Sequence, residues 1–92
     1  MQTTTAPALP GPLHRCSWPQ FLQHYVRTNR DLLAVLARLE KLPARSGAGI
    51  DARIRCEQLD ELSRAMEAHL RRLPAWMLDE AHEALSEALP AA

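Results

Sequence analysis

Three side chains of this 92-residue chain have ligand chemistry suited to a zinc ion and a route to one another. His14 and Cys16 form a His-x-Cys pair ahead of the first long helical stretch, and an antiparallel fold would bring His69 to the same end. Imidazole and thiolate are the ligands zinc prefers, but structural sites announce themselves through Cys-x-x-Cys or His-x3-His spacing, and neither occurs. The expected reading is a solvated histidine beside a small, half-buried thiol, with no metal and no cofactor. The second cysteine, Cys56, falls on the apolar stripe of a helix. An antiparallel hairpin would hold it far from Cys16, so no disulfide is expected between them.

Catalytic chemistry finds little footing. Ser46-Gly47-Ala48-Gly49 lacks the flanking strand and the lysine of a phosphate-cradling loop. Glu57 and Glu61 are carboxylates one helical turn apart, with no apolar wall to push their pKa values apart. His82 sits at the edge of an apolar stripe, as a boundary residue rather than a base. The expectation is a protein that is not an enzyme.

Two surfaces could instead bind. Arg27, Arg30, Arg38 and Lys41, with His24, share the outer face of the first long helix, which could meet an acidic partner or a phosphate backbone. Trp76, Glu80, Glu83 and Glu87 share one face of the last helix. Trp76 either folds back over the Leu73-Pro74 turn or serves as an interface anchor, a role in which tryptophan is enriched.

The elements that must position these residues are helical. Leu and Ala supply 15 residues each, aromatics make up 4%, and β-branched residues are too sparse for a sheet. Ser17-Trp18-Pro19-Gln20 is a capping box with proline in the first turn, and it predicts a helix from 17 to 42. In heptad terms Leu22, Asn29 and Leu36 fall at a, and Trp18, Tyr25, Leu32 and Leu39 at d. Phe21, Val35, Leu42, Val26 and Leu33 make the flanking g and e positions apolar too. A helix so broadly apolar is expected to be covered from two sides. The polar run 27–31 is its weak point, where a break is conceivable. Pro43 to Gly49 reads as a loop. A second helix is predicted over 51–72 with Asp51 as N-cap and Asp60–Arg64 and Glu67–Arg71 pairs on its wet face. A third is predicted over 74–89 with Pro74 at its first position. Residues 1–16, with three consecutive threonines and three prolines, read as a flexible arm.

The fold expected is therefore all-α, a small antiparallel three-helix bundle forming one domain over 17–92. Eleven basic residues balance eleven acidic ones, which disfavours a general nucleic-acid binder. The balance conceals an asymmetry: residues 1–56 hold eight of the basic side chains and residues 57–92 hold eight of the acidic ones. No apolar run is long enough to span a membrane, no secretory signal is evident at the N-terminus, and a cytoplasmic location is expected. The function expected is a small protein-binding module acting through helix surfaces. That class takes in adaptors, chaperone-like subunits and inhibitors, including anti-CRISPR proteins of phages and mobile elements. The alternative is nucleic-acid binding or regulation through the basic face. A homodimer through the first helix is also expected, with Leu22, Asn29, Leu32 and Leu36 in the seam. There a second Asn29 across a two-fold axis would satisfy the buried amide and fix register, unless Asn29 instead faces a side chain of the second helix or the polar run 27–31 is a local break.

Overall fold

The computed structural model describes residues 8–89. They form four helices: α1 (Gly11–Arg15), α2 (Trp18–Leu39), α3 (Gly47–Leu70) and α4 (Ala75–Ala88). No strand occurs among the described residues, and the chain is an all-α bundle.

α2 begins where its capping box predicts. The Ser17 hydroxyl accepts from the Gln20 amide at 3.3 Å, and the Gln20 side chain accepts from the Ser17 amide at 3.0 Å. Two of the four amides that a helix start leaves without partners are thereby satisfied. The helix continues unbroken through the polar run, because the run divides by face. Thr28 is buried and Asn29 half-buried toward α3, while Arg27, Arg30 and Asp31 point to solvent.

α3 starts earlier than Asp51. Its N-cap is Ser46, whose hydroxyl accepts from the Gly49 amide at 2.9 Å. Of the two glycines that suggested a loop, Gly49 serves packing instead. A Cβ on Gly49 would collide with the Pro43 carbonyl oxygen, so only glycine lets the turn close onto the helix. Pro74 lies one position earlier than expected, at the N-cap of α4.

α3 runs antiparallel to α2: Phe21 meets His69, Tyr25 meets Glu67, and Asn29 meets Ser63. α4 runs parallel to α2, with Trp76 against Trp18 and His82 against Tyr25. The N-terminal stretch expected to be a flexible arm contains α1, with Leu13 8% exposed in the core and Leu9 and Cys16 packed around it. Leu9 and Leu13 are apolar residues four apart, which a single helical turn can turn toward one side. Residues 1–7 lie outside the described residues.

The core gathers at one end. Leu13, Phe21, Tyr25, Met66, Leu70 and Ala81 form the buried cluster, with Trp18, Leu22, Val26, Leu62, Leu73, Leu78 and Leu85 packed against it. Each fully buried large side chain there contributes about 1.5–3 kcal/mol of transfer free energy. The remainder of the α2–α3 hairpin is a two-helix limb, closed by small or single side chains such as Ala52 and Leu59. The radius of gyration is 14.8 Å, against about 12 Å for a compact chain of this length. The extents of 43 × 42 × 23 Å describe a plate.

Candidate functional site

One polar constellation joins all three long helices. The Tyr25 hydroxyl, on a residue only 1% exposed, donates to Glu67 Oε1, and His82 Nε2 lies 3.2 Å from the same oxygen. Burial raises the Tyr25 pKa, and the hydrogen bond to Glu67 and its charge raise it further. A phenol held protonated in this way serves as a donor and not as a base or nucleophile. Glu67 was expected to pair with Arg71 on the wet face. It turns inward instead, because a buried hydroxyl needs an acceptor and Glu67 is the carboxylate within reach. Tyr25 at a seam position was the available sequence signal, since a buried tyrosine implies a partner for its hydroxyl.

One turn along, Asn29 is satisfied inside the chain. Its amide nitrogen donates to the Tyr25 carbonyl and its oxygen accepts from the buried Ser63 hydroxyl, both at 2.8 Å. The idea that Asn29 needs its own copy across a two-fold axis is thereby removed. Ser63 on the facing helix fills that role.

His14 and His69 do meet, edge to face at 5.7 Å between ring centroids, and His69 also tilts onto Phe21 at 5.4 Å. Burial lowers the His69 pKa, helped by the nearby charges of His14 and Arg72. Cys16 does not join them, since its thiol donates to the Leu13 carbonyl at 3.3 Å. Among the described residues no group of three or more His, Cys, Asp or Glu side chains is placed to hold a metal ion. Cys16 and Cys56 are both free.

The acidic face of α4 is divided in its employment. Trp76 is 57% exposed and rests edge-on against Trp18 at 6.2 Å, while Trp18 stacks on Phe21. Glu80 accepts the Trp18 indole N–H at 3.3 Å, so it braces the bundle. Glu83 and Glu87 are exposed. Trp76 and these two glutamates are the part of the face available to a partner.

The basic residues of α2 are all exposed but serve different hollows. Arg27 and Arg30, with Gln23 and Asp31, rim an open groove of about 800 Å³ whose floor is Leu22, Val26, Ala34 and Ala84. Arg38 faces the other side of the hairpin, beside Val35, Asp51 and Arg55. Lys41 lies in the turn beyond α2.

The four seam residues separate along the helix. Leu22 packs against the core and Leu32 is half-buried, whereas Leu36 is 42% and its neighbour Leu33 47% exposed. The expected cover on both sides of α2 therefore exists only along its first half, where α4 lies. Ile50 and Ile54, 51% and 49% exposed, flank the buried Ala52 two residues to either side. Two helical steps of about 100° each carry them to the back of α3, so they form a separate stripe.

No helix among the described residues is long and apolar enough to cross a membrane. No protein-family model matches the chain, and no curated protein or solved structure resembles it significantly.

Proposed function

We propose that this chain is a non-enzymatic protein-binding module of the cytoplasm, and that its docking surface is the second half of α2. One observation carries the reading. The apolar stripe that packs against the core beside α4, Leu22 and Val26, continues past it as Leu33 and Leu36, both more than 40% exposed. Two large aliphatic side chains one turn apart, extending a stripe already used for helix packing, match the anchors by which amphipathic helices meet. Trp76 with Glu83 and Glu87 offers a second contact point. The basic groove around Arg27 and Arg30 supports nucleic-acid binding less well, because Asp31 stands in it and the chain as a whole carries no net charge.

The test is capture of partners from host extract, with nuclease treatment, by the wild-type chain, by Leu36→Asp and by a double Arg27→Glu, Arg30→Glu variant. A partner that survives nuclease, is lost with Leu36→Asp and is kept by the double variant supports the reading. Retention by Leu36→Asp, or loss with nuclease or with the double variant, rejects it in favour of phosphate contacts.

A further inference from the structure

We infer that the partner at Leu33 and Leu36 is a second copy of this chain, with the two α2 helices antiparallel across a two-fold axis between those residues. The inference rests on the reading of that stripe as a docking surface, and it names the occupant.

Charge is the first argument. Residues 32–56 carry Arg38, Lys41, Arg45, Arg53 and Arg55 against Glu40 and Asp51, whereas α4 carries Asp79, Glu80, Glu83 and Glu87 and neither Lys nor Arg. Within one copy no ion pair among the described residues joins the two regions. α4 starts beside Trp18 and brings Ala84 to the groove that Val26, Arg30 and Ala34 line. A two-fold axis between Leu33 and Leu36 turns the mate end for end. The part of its α2 that the last turns of α4 flank then lies across from the residues beyond Leu36. Glu83 and Glu87 of each copy thus come to Arg38, Lys41 and Arg45 of the other, and the contact occurs twice. A parallel pairing would set basic limb against basic limb, which like-charge repulsion opposes.

Area is the second argument. The chain exposes 6938 Å², against about 5,400 Å² for a compact monomer of its mass. The surplus of about 1,500 Å² exceeds the ~800 Å² that each partner of a standard stable interface buries, so one copy has surface enough for such a contact. Asn29 has no part in this seam, because Tyr25 and Ser63 already hold its amide. The contact lies one to two turns further along α2.

Sedimentation of the full chain over a wide concentration range, at low and high salt, tests the inference. The expected result is a reversible dimer of the 10.3 kDa chain, weakened by salt. Leu36→Asp should raise its dissociation constant by about a hundredfold or more, since two carboxylates would meet near the axis. Circular dichroism should not change, because Leu36 is no part of the buried cluster. Lys41→Glu and Glu87→Lys should each weaken the dimer, and the two together should restore it. This swap decides the matter if Leu36→Asp disturbs folding. A monomer at every concentration overturns the second copy as occupant; if the same monomer takes a different protein in a Leu36-dependent way, the docking surface itself stands. A dimer indifferent to Leu36→Asp and to the charge swap overturns the inference, and a docking surface that fails the capture test as well falls with it.

Discussion

The two ends of the α2–α3 hairpin are built from similar residues and differ in what covers them. At the closed end, α1 and α4 pack onto Phe21, Tyr25, Met66 and Leu70, and the last three are at most 1% exposed. At the open end, Leu33, Leu36, Ile50 and Ile54 belong to the same helices and are about half exposed. Aliphatic side chains at helical spacing are necessary for a core, but a third element must arrive before they become one. Two helices alone leave most of each circumference in water. The comparison also places the polar network. Tyr25, Glu67 and His82 meet only where three helices converge, so the closed end is specified by hydrogen bonds as well as by packing.

The sharpest way to break the contrast is a pair of truncations. Leu70→Ala, at a residue with no exposed surface, should cost about 2–5 kcal/mol in chemical denaturation. Leu36→Ala, examined at a concentration where the chain is monomeric, should stay within about 0.5 kcal/mol of wild type. Equal losses would mean that the open end is as well packed as the closed one.

A smaller effect probes the polar clamp. Tyr25→Phe removes the donor to Glu67 and should cost about 1–2 kcal/mol, near the low end for a hydrogen bond to a charged group, because Glu67 keeps His82 and some solvent. The folded-state pKa of Tyr25 is raised above its ordinary value of 10.0. Its contribution is therefore fully present below pH 10 and declines as pH rises through the raised value. The phenylalanine variant should lose that alkaline dependence, which melting curves at increasing pH would reveal. An unchanged profile would place the hydroxyl in solvent.

The smallest effect is on the acid side. The His69 pKa is lowered from 6.5 by burial and by His14 and Arg72. The unfolded chain then binds the proton more readily, so stability present above pH 6.5 falls as pH drops toward the lowered value. His69→Gln should flatten this part of the profile and leave the alkaline side alone. Persistence of the acid limb in His69→Gln would reject His69 as its source.

Much of the helical layout was legible because its causes are local. Ser17 and Gln20 cap α2 using only neighbouring atoms, and Pro74 bounds α4 through sterics that any chain would obey, whereas α2 ends at Leu39, short of the Leu42 that Pro43 suggested. The start of α3 was misread at Ser46 for a tertiary reason. Gly49 looks like a loop residue until Pro43 comes close enough to forbid a Cβ. The stretch holding α1 was misread similarly, since its prolines hide a turn of helix whose Leu13 is buried in a cluster with residues as distant as Leu70 and Ala81.

The surfaces divide along the same line. Sequence alone determined which faces of α2 and α4 are apolar, basic or acidic, because helical periodicity follows from backbone geometry. It could not determine which part of α2 stays bare. That depends on the 14-residue length of α4 and on its docking beside Trp18 rather than further along. Nor could it determine who satisfies Asn29, because the choice between a second copy and Ser63 lies 34 residues away and is made by how α3 packs. Local propensity writes the helices, while the partner of each side chain is fixed only when elements far apart in the chain compete for the same surface.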